Sequence, residues 1–259
     1  MIKPHGSDEL NPLYVSDDAE RNALQQEAEN LPSIVVSSAT AANAVMMASG
    51  YFNPLTGYMN KADALSVADN MHTTSGLFWP TPVLNLVENA GDVKAGDKIA
   101  LKDPNVEGNP ILAVMEVEAV EEFSDEDMAT MSQSIYRPAD GESHIGVDTF
   151  NAQGKVCLSG PIKVLNYSYF EKDFEGTFKT AVEIRQDIAA LGWKKVVAFQ
   201  TRNPMHLAHE ELCHMAMERL GCDGLVIHML LGKLKKGDIP AESRTSAGIS
   251  PFFNLPSSM

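Results

Sequence analysis

A β-rich first half followed by a unit of alternating strand and helix, a two-domain chain of mixed α+β and α/β class, is the fold the sequence predicts. Three observations carry it. At 259 residues the chain exceeds one average domain and can bury two cores. Short apolar runs separated by Pro- and Gly-bearing turns dominate as far as Leu165. Beyond Asn166 apolar runs alternate with stretches of helical period, which sets the boundary there. The expected divisions are 1–165, 166–240 and a tail, 241–259.

The elements follow in order. An extended segment ends at Tyr14-Val15, and a helix starts at Ser16, which can cap it, with Asp17, Asp18 and Glu20 placing favourable charge in its first turn. Pro32 ends that helix. Ser33 to Val36 is a short strand. Ala39 to Ser49 is an Ala- and Met-rich helix with Gly50 as its stop, its methionines serving packing. Asn53-Pro-Leu-Thr-Gly-Tyr-Met-Asn60 is a compact loop, and Asp63 to Met71 a helix. Leu77 to Glu88 reads as strand interrupted at Pro80 and Pro82. Ile99 to Lys102 and Ile111 to Val120 are strands flanking a turn-rich linker, the second with one apolar and one largely wet face. Ser124 opens a helix by a capping-box pattern, through about Gln133. Gly141 to Gly154 reads as polar loop, and Lys155 to Leu165 as a strand broken near Gly160-Pro161.

In the second half, Phe178 to Leu191 carries an apolar stripe at helical spacing, with Phe178, Val182 and Ile188 on it, and Gly192 stops it. Val196 to Phe199 is a buried strand. Asn203 offers a helix cap, Pro204 suits the first helical position, and Leu225 to Leu231 returns as a strand. The result is a β-α-β unit, whose ligands bind outside the carboxyl ends of its strands. Gln200 to His209 lie at that end. So does the loop Gly232 to Asp238, whose Lys233, Lys235 and Lys236 are either phosphate-facing or simply solvated.

The chemistry concentrates in Gln200-Thr-Arg-Asn-Pro-Met-His-Leu-Ala-His-Glu-Glu-Leu212. A helix start presents unpaired N–H groups and partial positive charge to an anion. Arg202 adds a forked cation suited to two oxygens of a sulfate, phosphate or carboxylate. His206 and His209, three positions apart, share one helical face, and Gln200, Thr201 and Asn203 supply neutral hydrogen-bonding groups. A single histidine on a helix is ordinarily solvated or packed, as His5, His72 and His144 are read here. The pair gains meaning from Arg202 beside it. A metal site using Cys213 and His214 after His209 is the weaker alternative, since no Cys-x-x-Cys pair accompanies them.

The same stretch resembles the QTRNPxHRAHE signature of the ATP sulfurylases (sulfate adenylyltransferases). The likeness runs from Lys3-Pro-His-Gly6 through Asn53 to Asn60, Trp79-Pro-Thr-Pro-Val83 and Gly160-Pro-Ile162 to Gly232-Lys-Leu-Lys-Lys-Gly-Asp238. The resemblance implies a PUA-like first domain and the start of a Rossmann-like α/β nucleotidyltransferase domain. It implies a reaction joining sulfate to the α-phosphate of ATP, giving adenosine 5′-phosphosulfate and pyrophosphate, or the reverse. Carried onto matching positions, Gln200 and Arg202 would hold sulfate, and Thr201, Arg202 and Asn203 would form the active-site loop. Gln200 through Asn203 would meet the ATP phosphates together with His206 and His209, which would also stabilise the transition state. Magnesium would travel with ATP, with no protein ligand for it, and homo-oligomers are frequent in the family. Leu207 stands where the family has arginine. The family continues beyond Asp238 with a Gly-Arg-Asp-His loop and a Ser-Gly-Thr segment absent here, and Glu242 to Met259 reads as a flexible or displaced tail.

Composition is that of an ordinary soluble globular protein, with 44% hydrophobic and 21% charged residues. The net charge of −15 argues against a broad nucleic-acid surface, and so against reading the first half as an RNA-binding module. Three cysteines form no disulfide framework, which suits a reducing cytoplasm, and neither a leader nor a run of membrane length is seen. What the resemblance implies as function is sulfate adenylyltransferase, the alternative a non-catalytic sulfate- or nucleotide-binding remnant.

Overall fold

The structure, a computed structural model, describes residues 2–138, 144–229 and 252–254. The chain divides into two compact units, 2–174 and 175–259.

The first unit is built on a seven-stranded mixed sheet. Its strands are β1 (Ser33–Val35), β2 (Gly57–Tyr58), β3 (Leu86–Val87), β4 (Lys98–Lys102), β5 (Ile111–Glu116), β6 (Ala119–Glu122) and β7 (Val156–Val164), in the order β1-β4-β5-β7-β2, with β3 and β6 also paired to β7. The expected break in β7 does not occur: the strand runs through Gly160-Pro161 and changes partners there. Val156 to Ser159 pair with β3 and β6, while Gly160 to Val164 pair with β2 and β5. Gly160 makes this possible at φ 138°, where a Cβ would stand 2.1 Å from the Glu116 carbonyl oxygen.

Helices α1 (Asp18–Ala28), α2 (Ser38–Ala48), α3 (Lys61–Asn70), α4 (Asp125–Tyr136), α5 (Ile145–Asn151) and α6 (Phe170–Asp173) belong to this unit. The α1 cap is Asp17 rather than Ser16, its carboxylate accepting from the Glu20 N–H at 2.7 Å. The capping box of α4 is present, with Ser124 and Asp127 bonded reciprocally. Where a polar loop was expected, His144 accepts from the Gly146 N–H and opens α5. The long strand expected from Ile111 to Val120 divides into β5 and β6. Nor does β5 have a wet face before Glu116: Val114 is buried in a cluster with Val15, Leu24 and Ala28, because α1 covers that side.

Four of the stretches that carried the resemblance meet in this unit. Asn53 donates to the His5 carbonyl at 2.8 Å and to the Ser7 hydroxyl at 2.7 Å, and accepts from the Asn11 N–H at 2.7 Å. A ring nitrogen of His5 lies 2.8 Å from the Phe78 carbonyl, and Phe52 packs edge-on to Trp79. Gly57 and Tyr58 pair with Pro161 and Gly160. These residues hold loops to the sheet, which accounts for their side-chain types without a ligand.

The second unit contains α7 (Ala181–Ala190), β8 (Val196–Thr201), α8 (Leu207–Leu220), β9 (Gly224–Met229) and β10 (Phe252–Asn254). Helix α7 starts three residues after Phe178 because Thr180 and Glu183 form a capping box. Strands β8 and β9 are parallel, and β10 runs antiparallel to β9. Helix α8 covers one face of the sheet through Cys213 and Met217, packed with Leu225, Ile227, Val197 and Phe199. Asp223 ties the start of β8 by accepting the N–H groups of Lys194 and Lys195, which hold its carboxyl below the usual carboxylate range.

Candidate active site

Strand β8 delivers Gln200 and Thr201 at its carboxyl end, and α8 begins six residues after Thr201. Asn203 does not cap α8, and Pro204 is not its first residue. The cap is His206, in extended conformation, whose carbonyl accepts from the N–H groups of His209 at 2.8 Å and Glu210 at 3.2 Å. The reason lies in Thr201. Its hydroxyl accepts the Asn203 N–H at 3.1 Å and donates to the Asn203 carbonyl at 3.0 Å, so that residue is held in a tight turn outside the helix.

The two imidazoles come together. The rings of His206 and His209 lie 3.9 Å apart, centroid to centroid, inclined by 33°. His206 is exposed and His209 half-buried, its ring leaning on Phe199 at 5.6 Å. The Nδ1 of His209 is buried with no hydrogen-bond partner. An unsatisfied buried nitrogen of this kind costs about 1–3 kcal/mol.

Arg202 and Asn203 are exposed on the loop between Thr201 and His206. Thr201 is buried on the face that α8 covers; Gln200, one residue earlier, leaves the sheet on the opposite face and is exposed. The predicted residues therefore form two groups at one strand end: the loop with the paired imidazoles, and Gln200 across the sheet edge. Strand alternation determines that division, because β8 continues past Phe199 through Gln200 and Thr201.

Cys213 is buried in the apolar cluster and its thiol is pushed up by burial, while His214 is half-buried, 3.9 Å from Glu210. Among the described residues no group of three or more His, Cys, Asp or Glu side chains is set to hold a metal ion. Sequence reading missed Phe199 as the ring against His209. The signal was its even spacing with Val197 on the covered face. The lysines Lys233, Lys235 and Lys236 lie outside the described residues.

Comparison with known proteins covers both units. Residues 2–167 match the PUA-like domain model and residues 175–248 the ATP-sulfurylase model, the latter reaching into the stretch expected to diverge. A sulfate adenylyltransferase of Alcanivorax borkumensis is 59% identical over 247 residues, covering 95% of this chain and 61% of its own length. One from Allochromatium vinosum is 60% identical over 95% of this chain and 62% of its own length. The chain thus spans about six-tenths of the length of the curated relatives it matches. Among solved structures, a hexameric APS kinase from Thiobacillus denitrificans superposes with a TM-score of 0.69 at 25% identity, over 92% of this chain and 41% of that one. Among the described residues no helix is long and apolar enough to cross a membrane.

Proposed function

Because the chain belongs to the ATP-sulfurylase family, we propose that it carries the sulfate and nucleotide-phosphate site of a sulfate adenylyltransferase. In this reading a sulfate oxygen attacks the α-phosphorus of ATP, the bond from that phosphorus to the bridging oxygen breaks, and pyrophosphate leaves with the electron pair. Adenosine 5′-phosphosulfate is the other product, and no proton need be removed from sulfate.

Two oxyanions that repel one another must be brought into line, so neutralisation and alignment matter more than a general base. Arg202 and Gln200 take the sulfate, with Arg202 offering paired N–H donors. Thr201 fixes the turn that presents Arg202 and Asn203. His206 and His209, with the start of α8, donate to the ATP phosphates and to the charge that builds on the leaving pyrophosphate. Magnesium enters as part of the ATP complex. The observation that carries the reading is the pairing of the exposed His206 and half-buried His209 imidazoles just after the Thr201–Asn203 turn.

The test is sulfate-dependent pyrophosphate release from ATP, run beside direct binding of ATP and adenosine 5′-phosphosulfate. Turnover abolished by His206→Ala and His209→Ala supports the enzyme. Binding without turnover would leave the ligand-binding alternative, and neither would end the proposal. The same reading takes the protein as cytoplasmic and homo-oligomeric. Its three buried free thiols and the hexameric neighbour support this, and native mass in solution tests the assembly.

A further inference from the structure

We propose that His228 is a further ligand-contacting residue of this site, standing beside Gln200 and donating an imidazole N–H to the same oxyanion. The inference rests on the reading of Gln200 given above and adds a residue from a second strand.

Strands β8 and β9 are parallel, and their register places Gln200 directly against His228. Paired residues on neighbouring parallel strands leave the sheet on the same face, about 4.8 Å apart along the hydrogen-bonding direction. That face is not the one covered by α8, because Val197, Phe199, Leu225 and Ile227 occupy the covered face. Along the opposite face the pairs run Val196 with Gly224, Ala198 with Val226, and Gln200 with His228. The row is thus apolar where the strands begin and becomes polar only at its last step, where both side chains are exposed. This last step is the carboxyl end of a parallel pair, the place where such units bind ligands.

The chemistry of the two side chains is complementary to a tetrahedral oxyanion. A carboxamide and an imidazole at this spacing can each donate one N–H to different oxygens of one sulfate. In a chain of net charge −15 an anion depends on such local donors.

The experiment measures binding of adenosine 5′-phosphosulfate and of ATP to the full chain by calorimetry, for the unaltered protein, Gln200→Ala, His228→Ala, His228→Asn and the double alanine variant. The expected result is a loss of roughly tenfold in adenosine 5′-phosphosulfate affinity for His228→Ala, with ATP affinity unchanged and substantial recovery in His228→Asn, which keeps an N–H donor. The two alanine effects should be less than additive, as for groups that share one ligand atom set. His228→Ala within twofold of the unaltered protein, while Gln200→Ala weakens binding, would overturn the inference and leave the proposed function standing. Equal losses for both ligands would also overturn it, as a structural effect. Absence of binding in the unaltered protein would remove the proposed function and this inference with it. Thermal melts keep misfolding distinguishable, and His228→Asn gives the second variant should His228→Ala not fold.

Discussion

The Thr201 hydroxyl closes on the backbone of Asn203 in both directions, accepting its N–H at 3.1 Å and donating to its carbonyl at 3.0 Å. A side chain that caps both polar groups of one residue removes that residue from helix formation. The consequence is that α8 begins at Leu207 and leaves Arg202 and Asn203 exposed on a short, fixed loop.

Thr201→Val keeps the shape and removes both bonds. Freeing the loop should weaken adenosine 5′-phosphosulfate binding by about tenfold or more, since two hydrogen bonds of about 1 kcal/mol each are lost. Thr201→Ser, which keeps the hydroxyl, should stay close to the unaltered protein. Calorimetric titration of the three proteins decides it, and a valine variant that binds normally would show that the turn does not position the loop.

Leu207 is the first residue of α8 and is 79% exposed, an expensive place for a large apolar side chain and a cheap one to change. Leu207→Arg puts a cation beside the proposed phosphate site, where the family pattern has arginine. It also places positive charge at a helix N-terminus, which costs about 0.3–1 kcal/mol. The expected outcome is tighter ATP binding by a fewfold together with a small fall in melting temperature. Unchanged or weaker ATP binding would place the phosphates elsewhere.

The β8-loop-α8-β9 unit was legible in the sequence because short β-branched runs on either side of a helical period leave few other folds. The capping box at Ser124 was legible for a similar reason: it is a local pattern satisfied by local bonds. The start of α8 was not, because Asn203 and Pro204 carry a helix-start signal that Thr201 overrides through two hydrogen bonds. The face of Val114 was hidden for a tertiary reason, since only the packing of α1 over β5 buries it. Of the site, residue types and order could be read directly. The near contact of the two imidazoles and the separation of Gln200 from Thr201 required the backbone path.

Asp127 titrates against a specific partner. The Lys61 ammonium at 2.6 Å, then the N–H and hydroxyl of Ser124, hold its carboxyl down to about 2. A carboxylate with a lower pKa folded than unfolded adds stability above the unfolded value near 4, and that stability is lost as pH falls toward 2. Asp127→Asn should therefore lower stability at neutral pH and converge with the unaltered protein at the acid end. Denaturant unfolding between pH 6 and the acid limit of folding measures this, and a constant difference across that range would refute the assignment.

A close backbone approach in the first unit supplies the sharpest stability test. Strand β2 meets β7 at Gly57, where an added Cβ would stand 2.0 Å from the Gly160 carbonyl oxygen and 2.7 Å from the Pro161 Cα. Both obstacles are backbone, so no rotamer change can relieve them, and either the β2–β7 pairing opens or β7 shifts. Since β7 also carries β3, β5 and β6, a shift there disturbs the whole sheet. Gly57→Ala should cost at least about 2–3 kcal/mol, at the upper end of the overpacking range. Gly76→Ala is the control: that glycine also lies in an unusual conformation, φ 85°, but a Cβ there meets open space. It should cost only the conformational penalty, about 1 kcal/mol. Denaturant midpoints of both variants separate the steric from the conformational cost, and equal shifts would mean that the β2–β7 contact is looser than the structure has it.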